Sequence, residues 1–161
     1  MKTALFIARL QPLHKGHMTV IKTTMKKYKL IIAIAATNKL NSDNPFTFKE
    51  RAEMVRLCFG DKIKIVGIHD MEHDKHWTNY LVKNERFDVV ISGNPWIKKL
   101  FYKLKKIESP KFVNSEKYSG IKIRERIYHG KIWKDSVPPE IAKYIEKIDG
   151  INRIKLLSNV G

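Results

Sequence analysis

The apolar residues of this chain of 161 residues fall into short continuous runs that alternate with amphipathic stretches. Continuous apolar runs of this length are typical of strands that are buried on both faces of a sheet, and the amphipathic stretches predict helices. The predicted strands cover 3–8, 30–36, 63–68, 88–92 and, more briefly, 111–113. The predicted helices cover 16–27, 47–59, 77–83, 96–106, 120–129 and 139–148.

Alternation of strands and helices predicts an α/β fold with a parallel sheet. We expect a single doubly wound Rossmann-like domain over 1–161, with strand order 3-2-1-4-5 and a helical C-terminal part over about 119–157. In such sheets ligands bind beyond the carboxyl ends of the strands, where the strand order reverses. The loops that follow the first and fourth strands, ARLQPLHKGH at 8–17 and SGNP at 92–95, are therefore the predicted binding loops.

The loop after the first strand combines several groups that suit phosphate. His14 and His17 are three residues apart and share one face at the start of a helix. Gly16 leaves room for a ligand, and the helix N-terminus supplies backbone donors and positive dipole. Arg9 and Lys15 supply full charges. An isolated HxxH is more often a surface or capping feature, and a metal-binding pair is another alternative, but the complete pattern favours a cradle for phosphates.

Composition narrows the class of protein only slightly. The formal charge is +16, from 25 Lys and 7 Arg against 16 acidic residues, and such a field attracts nucleic acid or nucleotide phosphates. A solvated surface rich in Lys would explain the same charge. The single cysteine, Cys58, excludes an intrachain disulfide and a Cys-based zinc site. No apolar run approaches the length of a membrane span and no signal-peptide pattern opens the chain, so we expect a cytoplasmic protein.

The segment HDMEHDKHW at 69–77 carries three histidines and three acids at short spacing. Such a set is able to bind a transition metal, which stays an alternative interpretation here. A zinc site requires convergent ligands, so this alternative is the less favoured one here.

The pattern RLQPLHKGH resembles the GRFQPxHxGH signature of the archaeal-type nicotinamide-nucleotide adenylyltransferases, which belong to the HxGH superfamily of nucleotidyltransferases. Other superfamily members usually carry GTFDxxHxGH, so Arg9, Gln11 and Pro12 point to this branch. Further stretches are similar in the same order, and the resemblance covers nearly the whole chain. They read NPFTFKER (44–51), DMEHDKHW (70–77), FDVVISGNP (87–95), YSGIKIRERI (118–127) and the tail at 133–157.

The resemblance implies a single nucleotidyltransferase domain that transfers AMP from ATP to nicotinamide mononucleotide (NMN), giving NAD and pyrophosphate. It implies catalysis by positioning and charge, with Mg²⁺ entering on the ATP and no dedicated metal site on the protein. The implied catalytic residues are His14, His17, Arg9 and Arg124. The implied ATP-binding residues are Arg9, Gln11, His14, Lys15, Gly16, His17, Gly93, Asn94, Ser119, Ile123 and Arg124. The implied NMN-binding residues are Asp70, Asp74 and Trp77.

The resemblance also implies a physical role for the segment at 119–124 and for Trp77. SGIKIR at 119–124 is similar to the second phosphate motif of the superfamily, ISSTxxR, in which Ser119 caps a helix and Arg124 is the cation. Trp77 is expected to stack on the pyridinium ring, a cation that an indole face attracts. An ordinary capped helix and a core tryptophan are the alternatives.

The chain also departs from the family pattern. Ala8 replaces the first glycine of the signature, and the loop at 35–44 lacks the usual SAQxSHT. Asp74 stands where the family usually has Asn. Because a carboxylate accepts hydrogen bonds and cannot donate them, Asp74 is expected to favour the amide of nicotinamide over negatively charged nicotinic acid.

Three competing interpretations remain at this point. The chain could be another HxGH transferase that acts on FMN or phosphopantetheine or uses CTP, a basic nucleic-acid-binding protein, or a member that binds nucleotide without catalysis. No nucleic-acid-binding motif supports the second, and we expect neither nucleic acid nor membrane as a partner. Archaeal members of the family form hexamers, so the resemblance implies a homo-oligomer.

Overall fold

The computed structural model describes residues 1–69, 74–111 and 114–160. Its strands form one parallel sheet in the order β3-β2-β1-β4-β5, which confirms the predicted α/β class and strand order. The strands are β1 (Thr3–Ala8), β2 (Lys29–Ile34), β3 (Lys64–Gly67), β4 (Val89–Ile91) and β5 (Lys106–Glu108).

Helices connect the strands and form the C-terminal part of the described chain. They are α1 (Lys15–Met25), α2 (Phe48–Phe59), α3 (Asp74–Asn84), α4 (Pro95–Phe101), α5 (Gly120–Tyr128), α6 (Pro139–Lys147) and α7 (Gly150–Val160), with a 3₁₀ turn at Lys134–Ser136. None of the helices in the described ranges has the length and apolar character needed to span a membrane.

Alternate residues of the central strands enter two separate cores, one on each face of the sheet. Phe6 and Ile32 lie in the larger core, with residues of α1, α2, α5, α6 and α7. Leu5 and Ile31 lie in the smaller core, with residues of α3 and α4. Because both faces are covered, every position of these strands favours an apolar residue, which explains the continuous runs in the sequence.

Helix α2 begins as the sequence predicts. The Thr47 hydroxyl accepts the N–H of Glu50 (3.2 Å), and the Glu50 carboxylate accepts the N–H of Thr47 (2.8 Å), which completes a capping box. Arg153 of α7 donates two further charged hydrogen bonds to the same carboxylate (2.5 and 2.9 Å). The start of α2 is therefore fixed both locally and by the C-terminal helix.

Two predictions about elements are wrong. The fifth strand is Lys106–Glu108 and not 111–113 (of which 112–113 lie outside the described residues), and α4 ends at Phe101 instead of 106. β5 is an edge strand in which Ile107 is flanked by charged residues, so its apolar pattern is too weak to separate it from the preceding helix. Helix α7 falls in the predicted helical part over about 119–157, but the sequence gives it no bounds of its own because its apolar face is mixed: Ile154 is buried while Leu156 is exposed.

Candidate active site

Two cavities adjoin at the carboxyl ends of the strands, where the strand order reverses between β1 and β4. The first, which we call the histidine pocket, has a volume of about 460 Å³. It is lined by Arg9, Leu10, Gln11, His14, His17, Asp43, Gly120, Ile121 and Arg124.

The two histidines of this pocket cap helix α1 reciprocally. Nδ1 of His14 accepts the N–H of His17 (3.3 Å), and Nδ1 of His17 accepts the N–H of His14 (3.2 Å). The rings are stacked, with centroids 3.7 Å apart. Since each Nδ1 is an acceptor, each neutral ring carries its proton on Nε2.

Burial also keeps this pair of histidines neutral. It lowers the pKa of His14 to about 4. Burial, and then the proximity of His14, lowers the pKa of His17 well below its ordinary value. At neutral pH each ring therefore presents one Nε2–H donor and no charge, so the positive charge of the pocket comes from its arginines.

Gly16 is required by the position of the His14 ring. A Cβ atom at Gly16 would lie 2.8 Å from Cε1 and 2.9 Å from Nδ1 of His14, which is closer than non-bonded carbon atoms approach. Gly16 belongs to the first turn of α1, where backbone N–H groups have no partner within the helix. Lys15 is exposed on the same turn and is not one of the lining residues.

Helix α5 reaches the same pocket from the far end of the sequence. Ser119 caps it by accepting the N–H of Lys122 (3.1 Å). Nη1 of Arg124 donates to the backbone carbonyl of Gln11 (2.8 Å). A Cβ atom at Gly120 would lie 2.8 Å from that Nη1 and 3.1 Å from the Gln11 carbonyl oxygen, so this close approach depends on glycine. The histidine-bearing turn and the start of α5 therefore converge on one cavity.

The charges in this cavity interact with one another. Arg124 is largely buried, and burial followed by the nearby Arg9 lowers its pKa, against the opposing effect of Asp43. The carboxylate of Asp43 lies 4.0 Å from Nη2 of Arg124 and is itself exposed. An anionic ligand would meet two guanidinium groups here, one of them poorly solvated, which strengthens its attraction.

The side chains of Gln11 and Ile123, which were predicted to bind ATP, make contacts within the protein. The Gln11 amide donates to the carbonyl of Phe46 (3.0 Å) and accepts its N–H (2.9 Å), so this side chain pins the loop before α2. Ile123 is fully buried in the larger core, and its N–H donates to Ser119 (3.0 Å). Gln11 is nevertheless one of the residues that line the histidine pocket, whereas Ile123 is not.

Arg51 is a site-building residue that the sequence prediction missed. Its side chain is fully buried, and the guanidinium donates to the carbonyls of Arg9 (2.8 Å), Ala35 (2.7 Å) and Ala36 (3.3 Å), while Nε donates to that of Thr47 (3.2 Å). Burial lowers its pKa to about 10. The segments that follow β1 and β2 are thus joined to the start of α2 by one cation.

The segments that follow β1 and β2 contain two residues with unusual backbone angles. Leu10 has φ of 55° and Ala36 has φ of 54°, in the left-handed region that residues with a side chain rarely adopt. Leu10 directly follows Arg9, whose carbonyl accepts from Arg51, and the carbonyl of Ala36 itself accepts from Arg51. We infer that the hydrogen bonds of Arg51 help to hold this strained backbone at the edge of the site. The sequence places Arg51 directly after Glu50 of the capping box, but this position does not indicate that the arginine is buried.

The second cavity, which we call the tryptophan pocket, has a volume of about 380 Å³. Arg9 lines both cavities and so lies where they adjoin. The other lining residues are Ile7, Ala8, Ala35, Ala36, Ile68, His69, Asp74, Trp77, Ser92, Asn94, Trp96 and Ile97.

A carboxylate joins two indoles in the tryptophan pocket. Oδ1 of Asp74 accepts Nε1–H of Trp77 (3.0 Å), and Oδ2 accepts Nε1–H of Trp96 (2.8 Å). The sequence predicts Asp74 and Trp77 here, but Trp96 was missed. Asn94 caps α4 by accepting the backbone N–H of Trp96 (2.9 Å), and the exposed Gly93 precedes it. The predicted ligand Asp70 lies outside the described residues.

The metal-binding alternative for 69–77 gains no support from the described part of this segment. His69 pairs through Nδ1 with the Thr37 hydroxyl (2.8 Å). Across 1–69, 74–111 and 114–160 no group of three or more His, Cys, Asp or Glu side chains is arranged to hold a metal ion. Residues 70–73 lie outside those ranges.

Comparison with known proteins identifies first the family of this chain and then the branch of that family. Residues 5–126 match the cytidylyltransferase-like family, so the chain belongs to that family. Within it, the chain belongs to the nicotinamide-nucleotide adenylyltransferases, as the sequence motifs predict. A relative of that name from Methanococcus aeolicus is 38% identical, over 96% of this chain and 94% of the relative. One from Archaeoglobus fulgidus is 33% identical, over 96% and 97%.

A solved structure has the same fold. It is a bifunctional NMN adenylyltransferase/ADP-ribose pyrophosphatase from Francisella tularensis, in complex with AMP and a manganese ion. The TM-score is 0.84 at 21% identity, and the match covers 99% of this chain and 54% of that one. At this identity the comparison supports the fold of the chain.

Proposed function

We propose that this protein transfers AMP from ATP to nicotinamide mononucleotide and releases NAD and pyrophosphate. The observation that carries the proposal is the junction of the two pockets at Arg9. One pocket offers helix N-termini, cations and imidazole donors, and the other offers aromatic walls. A triphosphate suits the first and a pyridinium ring suits the second. The names of the relatives agree with this pairing of substrates.

The histidine pocket would hold the triphosphate. The Nε2–H groups of His14 and His17 are the free donors of the stacked rings and would donate to phosphate oxygens. Arg9 and Arg124 would balance charge as it grows on the departing pyrophosphate. Because Arg124 is held by the Gln11 carbonyl before any ligand arrives, little reorganisation is needed at the moment of reaction.

The chemical step requires no covalent intermediate on the protein. An oxygen of the mononucleotide's 5′-phosphate forms a bond to the α-phosphorus of ATP while the bond to the bridging oxygen of pyrophosphate breaks. The residues of the site position the two phosphates in line and stabilise charge. Asp74 and Trp77 would hold the nicotinamide side. Gly93 and Asn94, which follow β4, would face the adenosine, and Asn94 also lines the tryptophan pocket.

The donor set of the pocket fits Mg²⁺ that arrives on the triphosphate. Of the described residues that line the histidine pocket, Asp43 is the only carboxylate, and it is exposed. Mg²⁺ commonly keeps several waters and binds one or two carboxylates together with substrate phosphates, so Asp43 would supply one oxygen. When bound, the ion would neutralise charge on the phosphates.

Several expectations stay predictions for this chain. We propose that residues 1–161 act as one nucleotidyltransferase domain, that the protein is cytoplasmic and binds no nucleic acid, and that it forms a homo-oligomer. Light scattering after size exclusion measures the last point directly.

The proposed activity is tested with purified protein, ATP and Mg²⁺, and a panel of acceptors. NMN should give NAD and pyrophosphate in equal amounts. FMN, phosphopantetheine, and CTP in place of ATP, should give neither product above the rate of a His17→Ala control. Turnover with one of those substrates and none with NMN would instead favour another branch of the superfamily. Salt-sensitive RNA binding without any turnover would favour a nucleic-acid-binding protein.

A further inference from the structure

Asp74 has both of its carboxylate oxygens engaged by indole N–H groups from two different helices. Trp77 lies on α3 with Asp74 itself, whereas Trp96 lies on the first turn of α4. The two distances, 3.0 and 2.8 Å, are those of good hydrogen bonds. The carboxylate thus ties the two indoles to each other across the tryptophan pocket.

A carboxylate suits this arrangement, because each of its two oxygens accepts from one indole. An indole nitrogen donates and never accepts. An Asn at position 74 would offer one acceptor oxygen, and its NH₂ group would face the N–H of the second indole. The acidic residue at 74 and the tryptophan at 96 therefore form one structural unit, which we call the Asp74 clamp (Asp74, Trp77 and Trp96).

The second indole of the clamp is fixed but not buried. Trp96 remains 50% exposed, whereas Trp77 is 9% exposed and packs on the ring of Phe101, 6.0 Å away. The Trp96 backbone is held by the Asn94 cap and its side chain by Asp74. A large apolar ring that is anchored at both ends and lines a cavity is suited to contact with a ligand.

We propose that the Asp74 clamp makes Trp96 a second aromatic wall for the pyridinium ring and makes the site select nicotinamide over nicotinic acid mononucleotide. This inference rests on the proposed function. In it Asp74 has two roles: it positions the two indoles through hydrogen bonds, and its charge repels the acid form of the mononucleotide, with no hydrogen bond to the ring's amide.

Charge explains the selection. Both mononucleotides contain a cationic pyridinium ring, which indole faces and a nearby carboxylate attract. Nicotinic acid adds a carboxylate of its own, which would lie beside Asp74 in the same pocket. Like charges placed together in this way are costly, so the acid form should bind more weakly.

The first test uses Trp96→Phe and Trp96→Leu, with Tyr102→Leu as the control. Tyr102 is an exposed aromatic residue just beyond α4 and outside both pockets. Trp96→Leu, which removes the aromatic face, should raise KM for NMN about tenfold at nearly constant kcat, and Trp96→Phe, which keeps an aromatic face but loses the N–H, should raise it less. Fluorescence supplies a readout without ATP: the chain has three tryptophans, and the third, Trp133, is buried in the larger core. NMN should quench the wild type more strongly than Trp96→Phe.

The second test measures coupling between Asp74 and Trp96. Asp74→Asn should lower the ratio of kcat/KM for NMN to that for the acid form about tenfold. In a Trp96→Phe background, the effect of Asp74→Asn on KM for NMN should shrink, because the remaining amide oxygen still accepts the N–H of Trp77.

The outcomes separate this inference from the proposed function. If the wild type makes NAD but Trp96→Leu keeps its KM and its quenching, the clamp is wrong and the activity stands. Strictly additive effects of the two substitutions, or equal use of both mononucleotides by the wild type, would also overturn it. If no NAD is formed, the proposed function fails, and quenching by NMN that needs Trp96 would still support the aromatic wall.

Discussion

The histidine pocket and the tryptophan pocket adjoin at Arg9 but are built by different kinds of contact. The former takes its key groups from short sequence segments, in which His14, Gly16 and His17 position one another within a single helical turn. The latter depends on side chains from separate helices, joined by Asp74. Groups placed by local backbone geometry leave a motif in the sequence, whereas groups placed by long-range side-chain contacts do not.

This difference predicts that substitutions in the histidine pocket affect the rate of transfer most. His17→Ala removes an Nε2–H donor from the triphosphate, and kcat should fall by about 10²–10³-fold. Replacement of the exposed Lys22 on the same helix by Ala should leave kcat unchanged. Rates and thermal unfolding of both variants are the measurements, and a fully active His17→Ala would remove this residue from catalysis.

Substitution of Arg51, which joins the segments that line both pockets, should instead affect the free energy of unfolding. Arg51→Met removes four hydrogen bonds to backbone carbonyls, of which those of Thr47 and Ala36 keep a backbone donor, and the free energy of unfolding should fall by about 3 kcal/mol. Arg56→Met, on the exposed face of the same helix, is the matched control and should change it by less than about 0.5 kcal/mol. Denaturant titration measures both, and equal stabilities would show that the buried guanidinium is dispensable.

The neutral histidines predict a pH effect with a definite sign. In the unfolded chain His14 titrates near 6.5, but in the native protein its pKa is about 4. Below pH 6.5 the unfolded state therefore binds a proton that the native state does not, and stability falls as pH falls towards 4. Between pH 7 and pH 5 the wild type should lose about 2 kcal/mol more than His14→Asn, which keeps a capping acceptor and does not titrate. Identical losses in the two proteins would contradict the neutral, buried pair.

Substitution at the start of helix α5 should have a smaller effect on the kinetics and tests the role of this helix. Gly120→Ala places a methyl group against Nη1 of Arg124 and the carbonyl of Gln11, so Arg124 should shift and kcat/KM for ATP should fall about tenfold. Lys122→Ala, on the same exposed turn, should be without effect. Unchanged kinetics in Gly120→Ala would show that the Arg124–Gln11 contact is not needed.

Sequence reasoning succeeded where periodicity or local capping decides the structure. The apolar run of β1 predicts its bounds, and Thr47 and Glu50 predict the start of α2. It failed at β5, where an edge strand carries charged residues, and it predicted helical structure but no bounds for α7, whose apolar face is mixed. In these elements tertiary contacts, and not local pattern, decide the conformation.

The same rule applies to the site. His14, His17 and Arg124 were predicted from motifs and do line one pocket. The side chains of Gln11 and Ile123 share those motifs but serve the loop before α2 and the core. Arg51 and Trp96 were missed, because the carbonyls and the carboxylate that hold them come from segments that only folding brings together.

The central claim is that the histidine-bearing turn and the start of α5 hold one triphosphate between them. A crystal structure with an ATP analogue whose α–β bridging oxygen is a methylene group tests it most directly, since that bond cannot be cleaved by transfer. The account predicts phosphate oxygens within hydrogen-bonding distance of Nε2 of His14 or His17 and of the Arg124 guanidinium in the same complex. A triphosphate bound elsewhere, or in contact with only one of the two segments, would contradict it.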